Sequence, residues 1–167
     1  MNSIRLYNYS FSSYRTYVLA GLFVLGNIVF PQLAHLLPNG GPILLPIYFF
    51  TLIAAYKYGW RAGILTAVLS PVINYLLFGM PMLVMLPAIL IKSTILALAA
   101  AYAAKRFNTV NLLVLLLVVA SYQILGSLAE WALSGSLYAA LQDFRLGLLG
   151  MGIQVFGGYA VLNILKS

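Results

Sequence analysis

Residues 110–133 read VNLLVLLLVVASYQILGSLAEWAL, an apolar run interrupted near its end by a single acidic residue, Glu130. A run of this length exceeds the roughly 20 residues that an α-helix needs to cross the hydrocarbon core of a bilayer. The rest of the chain is similar, since 63% of its 167 residues are hydrophobic and 7% are charged, with a mean hydropathy of +1.02. A soluble domain carries roughly 25% charged residues. The sequence therefore predicts an integral membrane protein.

Helices account for the apolar runs better than strands do. Backbone polar groups in lipid must be satisfied within the protein, which leaves helices or closed barrels, and these runs lack the strict alternation of barrel strands. Six helices are predicted, at 16–37, 43–56, 62–78, 82–104, 110–133 and 137–165. The second and third are short for a perpendicular span. We expect an all-α membrane protein, a bundle of six transmembrane helices in one domain over 1–167, with a tyrosine-rich interfacial segment at 1–15.

The charges predict the orientation of the bundle. Basic residues cluster before the first helix, in alternate loops and after the last helix, at Arg5, Arg15, Lys57, Arg61, Lys105, Arg106 and Lys166. The joints at 38–42 and 78–82 carry no charge. Because basic loops are retained on the cytoplasmic side, both termini are expected in the cytoplasm, in a multi-pass protein of a bacterial inner membrane. The net charge of +7 is thereby assigned to topology in the lipid bilayer and not to nucleic-acid binding.

Polar side chains in the membrane indicate where a ligand could bind. With this orientation most of them fall in the outer halves of several helices, and the candidates for substrate binding are Gln32, His35, Tyr48, Asn74, Tyr75, Lys92, Glu130, Trp131, Arg145 and Gln154. Burying such groups costs up to several kcal/mol each unless they are paired or hydrated. Aromatic rings with a few polar groups suit a small planar ligand in a pocket open to the outside. Alternatively, the amides join helices and the aromatic residues form an interfacial belt.

Glu130 and Lys92 are the two charged candidates that matter most. Glu130 is the chain's one glutamate, and it shares a helix face with Gln123 and Ser127. It could bind a donor or cationic group of a ligand, pair with Arg145 or Lys92, or be a neutral, protonated acid. Lys92 is expected near the middle of its helix, where an unpaired charge is most costly, so we expect Glu130, backbone carbonyls or an anionic ligand beside it.

No catalytic, metal or cofactor site is predicted. The chain has no cysteine, and its one histidine, one glutamate and one aspartate are too scattered for a metal site. A paired serine and histidine, an H-E-x-x-H motif, an aspartate pair and a phosphate-cradling loop are all missing. We therefore expect a protein that is not an enzyme and that cannot power transport with nucleotide by itself.

The segment PIYFFTLIAAYKYGWRAG at 46–63 resembles the short second helix and the Gly-x-x-x-Gly turn of the S-components of energy-coupling factor (ECF) vitamin transporters. The stretches LFGMP at 77–81, LPAILIK at 86–92 and GMGIQ at 150–154 continue the resemblance over nearly the whole chain. The resemblance implies a high-affinity substrate-binding subunit for uptake of a small water-soluble vitamin or cofactor precursor. Its implied partners are a membrane coupling subunit and two cytosolic ATPases.

The resemblance also implies a docking surface on the first helix. The family docks through small residues spaced as Ala-x-x-x-Ala, whereas this chain offers Ala20, Gly21 and Gly26. The outer loops at 38–42, 78–82 and 134–143 are expected to act as a lid.

A second hypothesis for the function is a small structural membrane scaffold of a cell-shape or assembly complex, without a ligand. It predicts that the polar groups are dispersed into contacts between helices.

Overall fold

The structure, a computed structural model, describes residues 4–166, and most of these residues are helical. The helices are α1 Tyr14–Ala34, α2 Gly40–Leu44, α3 Phe49–Tyr58, α4 Trp60–Phe78, α5 Leu86–Phe107, α6 Leu112–Ser134, α7 Leu137–Ala140, α8 Gln142–Leu146, α9 Leu148–Gly152 and α10 Gly158–Ile164. A 3₁₀ turn, Pro46–Tyr48, leads into α3, and a π-helical segment, Ile153–Gly157, joins α9 to α10. Within the described residues α1, α4, α5 and α6 are long and apolar enough to cross a membrane. The chain is thus a helical protein of membrane-compatible composition.

The predicted second and sixth helices differ from the elements observed. The second, expected at 43–56, consists of α2, the 3₁₀ turn and the ten-residue α3. Leu45 has a left-handed backbone (φ +46°) and Pro46 follows it without an N–H group, so no continuous helix forms there. The sixth, expected at 137–165, begins with the short helices α7 and α8, and its apolar part is limited to Leu148–Ile164.

Helix α3 lies at the centre of the bundle. Every residue from 51 to 57 is at most 2% exposed, which means that the helix is covered on all faces. A helix without a solvent or lipid face is a core helix, and this one packs against α1, α4 and α5. Gly63 of α4 permits the closest approach, because a Cβ atom there would come 2.5 Å from the Cβ atom of Ala55.

A network of polar side chains joins α1, α3 and α4. The side-chain amide of Asn27 donates to the hydroxyls of Thr51 and Ser70, at 3.0 Å each. The amide of Asn74 donates to the carbonyl oxygen of Asn27 at 2.8 Å and to that of Ser70 at 2.9 Å. Hydrogen bonds of this kind hold helices together where no water is present.

The amino-terminal segment crosses the basic end of the bundle. Backbone N–H groups of Ile4, Arg5 and Tyr7 donate to the carbonyl oxygens of Asn108, Lys166 and Lys57 respectively, at 3.3, 3.4 and 2.9 Å. The ring of Tyr7 stacks on those of Tyr9 and Tyr58, with centroids 5.6 and 5.8 Å apart. Residues 4–9 therefore pack on the protein itself. Whether the segment also lies in the membrane interface stays a prediction, and residues 1–3 lie outside the described part.

Candidate ligand site

A cavity of about 240 Å³ opens at the end of the bundle opposite the amino-terminal segment. Its walls come from the carboxyl-terminal ends of α1, α4 and α6, the first turns of α5, α2 with the 3₁₀ turn after it, the loop between α4 and α5, and α8. The volume lies just below the range of roughly 300–1,000 Å³ typical of small-molecule pockets. All three loops predicted as a lid contribute to the wall.

Lys92 binds both carboxylates of the chain at the cavity wall. Its Nζ atom lies 2.5 Å from Glu130 Oε2 and 2.7 Å from Asp143 Oδ2. The Lys92 side chain is 3% exposed, and those of Glu130 and Asp143 are 18% and 15% exposed. An ammonium group at this depth is stabilised only by such partners, and the two acids face the cavity from different helices.

Packing between α5 and α6 fixes the position of Lys92. A Cβ atom on Gly126 would lie 2.4 Å from Lys92 Cγ, so the aliphatic stem of the lysine occupies the space that a larger residue would fill. Glu130 is one helical turn beyond Gly126 on the same face of α6. Because Gly126 has no side chain, Lys92 can lie along α6 and reach the carboxylate of Glu130.

The turn after α6 brings Asp143 to the lysine. Helix α6 ends at Gly135, whose φ of +66° reverses the chain. Ser136 then caps α7 by accepting a hydrogen bond from the Ala139 N–H at 3.2 Å. Asp143 is in the first turn of α8, where the positive end of the helix dipole favours a carboxylate.

Three acceptor atoms at the cavity remain unpaired among residues 4–166. Each carboxylate uses one oxygen for Lys92, and neither Glu130 Oε1 nor Asp143 Oδ1 accepts a hydrogen bond there. Asn74 is 2% exposed, and its Oδ1 atom has no partner although its nitrogen donates twice. Asn74 Oδ1 is thus a buried acceptor without a partner, which is rare in proteins, whereas the two carboxylate oxygens belong to partly exposed side chains and are open to a ligand or water.

The structure brings half of the predicted site residues to this cavity. Those that line it are His35, Tyr48, Asn74, Lys92 and Glu130. Four of them come from four separate elements and His35 directly follows α1, as expected for a pocket enclosed by several helices. Tyr48 is 3% exposed, and its ring packs on that of Tyr122 at a centroid distance of 5.2 Å.

The other five predicted residues lie outside the cavity wall. Gln154 is fully buried and accepts a hydrogen bond from the Tyr122 hydroxyl at 2.8 Å, which is a contact between helices. The Arg145 guanidinium lies over the ring of Tyr138 at 4.1 Å. Trp131 is 46% exposed, as a belt residue would be, and Gln32 and Tyr75 are half-buried.

Two of the three small residues predicted for docking pack inside the chain. Ala20 is 2% exposed, and a Cβ atom on Gly26 would lie 2.8 Å from the ring of Phe50. A Cβ atom on Gly21 would meet nothing within 4 Å. Of the three, Gly21 is therefore the one on the outer surface of α1.

Sequence reasoning missed several residues of the cavity wall, of which Asp143 matters most. It was assigned to a loop at the start of the sixth helix, whereas the structure places it beside Lys92. The available signal was that Asp143 is the chain's one aspartate and that Lys92, expected within the membrane, needed acidic partners. The other residues missed include Gln142, Met80, Met82 and Met85, for which the sequence carries no comparable signal.

Comparisons with known proteins returned nothing similar to the chain. No family model matches it, and no curated protein and no solved structure matches it significantly. Among residues 4–166, no group of three or more His, Asp or Glu side chains could hold a metal ion. Function is therefore inferred from the cavity and its side chains, since a helical fold by itself is compatible with many functions.

Proposed function

We propose that this chain is the substrate-binding subunit of a membrane transporter. It takes up a small water-soluble vitamin or cofactor precursor together with a membrane coupling subunit and two cytosolic ATPases, as the resemblance to ECF S-components implies. The observation that carries the proposal is the convergence of His35, Tyr48, Asn74, Lys92 and Glu130 on one cavity. Polar groups from separate parts of the chain meet at a space that the chain itself leaves unfilled.

Six spans remain the proposed topology. Besides the four long helices, residues 40–58 form the second span and Leu148–Ile164 forms the sixth. The second is short, but α3 is covered by protein on all sides, so its ends need not match the thickness of the bilayer. The sixth is close to the lower limit of roughly 17 residues for a spanning helix.

The distribution of charge supports an outward-facing cavity. Both acidic residues lie at the cavity end. Seven of the nine Lys and Arg residues belong to the opposite end, at Arg5, Arg15, Lys57, Arg61, Lys105, Arg106 and Lys166. Because basic segments stay on the cytoplasmic side, the termini would be cytoplasmic and the cavity would face the exterior of a bacterial inner membrane.

The outer surface of α1 is the proposed docking site for the coupling subunit. Val18, Leu22 and Leu25 surround the open position at Gly21, and each of these three is more than half exposed. The absence of a side chain at Gly21 would let a partner helix approach the α1 backbone closely. Ala20 and Gly26 have no part in this surface because they pack inward.

The scaffold hypothesis has one observation in its favour. Gln154, Asn27 and Ser70 are used in contacts between helices, as a protein without a ligand would use them. A scaffold does not, however, require unpaired acceptors at a cavity. Uptake is therefore the better supported function.

A thermal-shift screen of vitamins and cofactor precursors on the purified protein tests the proposal. A ligand present at a hundred times its Kd should stabilise the protein by about 2.7 kcal/mol. Tyr48→Phe, which changes the cavity wall, should reduce the shift, whereas Tyr75→Phe removes a hydroxyl outside the wall and should leave it unchanged. If no compound stabilises the protein and no coupling subunit or ATPase co-purifies with it, uptake is excluded in favour of a scaffold.

A further inference from the structure

The cavity carries an excess of negative charge. Two carboxylates, one ammonium group and the imidazole of His35 line it, and its lining contains no other Lys, Arg, Asp or Glu. Lys92 is in contact with both acids, yet one cation balances only one of the two anions. An unbalanced charge in a largely apolar surrounding is costly, so a bound cation would be favoured there.

Free acceptor atoms lie beside the ammonium group, and among residues 4–166 the Tyr48 hydroxyl, the Gln142 amide and the His35 ring at the wall also form no hydrogen bond. Both nitrogen contacts of Asn74 go to carbonyl oxygens, which fixes the orientation of its amide and leaves Oδ1 as the free atom. Glu130 Oε1 and Asp143 Oδ1 are also free among residues 4–166. A ligand that places N–H donors against these oxygens would satisfy groups that the protein does not satisfy itself.

Apart from His35, Tyr48, Asn74 and Gln142, the rest of the wall is apolar. Prolines, methionines and an isoleucine contribute most of it, namely Pro31, Pro46, Pro81, Met82, Met85 and Ile89. Methionine side chains adapt to the shape of flat apolar groups and pack favourably on aromatic rings. This part of the cavity suits a compact, unsaturated body without further charge.

From these three features we infer that the substrate is a small organic cation, with a positively charged N–H donor group directed at Glu130 and Asp143 and an apolar body among the prolines and methionines. The inference rests on the proposed function and narrows its substrate class.

Three probes of similar shape and different charge test the inference. Benzamidine, benzamide and benzoate share one ring and carry charges of about +1, 0 and −1 at neutral pH. Binding to the purified protein in nanodiscs of zwitterionic phosphatidylcholine is measured by calorimetry. We expect benzamidine to bind roughly tenfold to a hundredfold more tightly than benzamide, as a charge-assisted hydrogen bond requires, and benzoate not to bind. Equal or tighter binding of benzamide or benzoate, or no binding of any probe, overturns the inference.

One variant of a cavity acid and one control variant test whether the cation binds beside Asp143. Asp143→Asn leaves Lys92 paired with Glu130, so the fold should survive, and benzamidine affinity should fall roughly tenfold or more. Lys105→Gln removes one charge at the opposite end of the bundle and should change nothing. Unchanged affinity in Asp143→Asn, or an equal loss in Lys105→Gln, contradicts the inferred contact.

A failure of the inferred cationic substrate class can be told apart from a failure of the proposed uptake function. If a neutral or anionic vitamin stabilises the protein in the screen, uptake stands and the cationic substrate class is wrong. If no vitamin binds and no transport partner co-purifies, the uptake function is wrong, whatever the three probes show.

Discussion

Gly126 and Lys92 are packed so closely that a single methyl group on the glycine would occupy the position of the lysine side chain. The distance between the Cβ position of residue 126 and Lys92 Cγ is 2.4 Å. This contact sets the path of the lysine from α5 to the carboxylates of Glu130 and Asp143. The close packing of two helices and the geometry of the ligand site thus depend on the same glycine.

Gly126→Ala should therefore disturb both stability and binding. The added methyl group forces Lys92 or α6 to move, which we expect to lower the free energy of unfolding by about 1–3 kcal/mol. It should also weaken the binding of any ligand that contacts Lys92, Glu130 or Asp143. Gly21→Ala is the matched control, because its methyl group meets no atom within 4 Å. The control should be neutral or stabilising by up to about 1 kcal/mol. Denaturant titration of both variants measures the difference, and equal effects would contradict the predicted clash.

Lys92→Met should be more harmful than Glu130→Gln. Removing the lysine leaves two partly buried carboxylates without a counter-ion, which we expect to cost roughly 2–4 kcal/mol of unfolding free energy. Glu130→Gln leaves Lys92 balanced by Asp143, so stability should change by less than about 1 kcal/mol while ligand binding weakens. Unfolding of the two single variants and of the double variant forms a cycle that isolates the pair. A smaller loss in Lys92→Met than in Glu130→Gln would show that the ion pairs do not stabilise the fold.

Gly63→Ala should separate α3 from α4. The new methyl group would lie 2.5 Å from the Cβ atom of Ala55 and 2.8 Å from its Cα atom, and neither of these atoms can rotate away. We expect a loss of about 1–3 kcal/mol in unfolding free energy, with ligand affinity per folded molecule largely retained, because the contact is remote from the cavity wall. Gly152→Ala, which meets nothing within 4 Å, serves as control, and thermal unfolding reports both.

The absence of native cysteine makes the proposed topology directly testable. Val84→Cys places a thiol in the loop at the cavity end, where the native side chain is 91% exposed. Lys105→Cys places one at the basic end. A membrane-impermeant maleimide added to intact cells should label the first and not the second, and both should be labelled after lysis. Labelling of Lys105→Cys in intact cells, with Val84→Cys protected, would reverse the proposed orientation.

Composition and hydropathy predict the class of this fold but not its interior organisation. The helices α1, α4, α5 and α6 follow from long apolar runs, and their bounds are close to those of four of the six predicted helices. The shortness of the second predicted helix was visible in the sequence. Its enclosure by the other helices was not, because burial depends on contacts between segments that are distant in the chain.

Two charged residues of the candidate site were predictable from the sequence, because charged residues are scarce in this chain. Lys92 and Glu130 stand out in the sequence because an ion in lipid needs a partner, and the structure pairs them. Arg145 and Asp143 show the limit of this reasoning. Arg145 is predicted to bind substrate and Asp143 is not, whereas in the structure Asp143, in the first turn of α8, binds Lys92 and Arg145 packs on the ring of Tyr138.

The pairing of the Arg5 N–H with the Lys166 carbonyl joins two parts of the chain that are synthesised at opposite times. The amino-terminal segment emerges from the ribosome well before its hydrogen-bonding partner is made. Lys57 at the end of α3 likewise donates to the carbonyl oxygen of Leu165, and Leu52 packs against Gly158 of α10. The early helices can therefore form while the chain is still growing, but the central helix acquires its neighbours in α10 only after residues 158–165 have been made. A nascent chain that stops short of α10 would leave α3 accessible to chaperones and proteases.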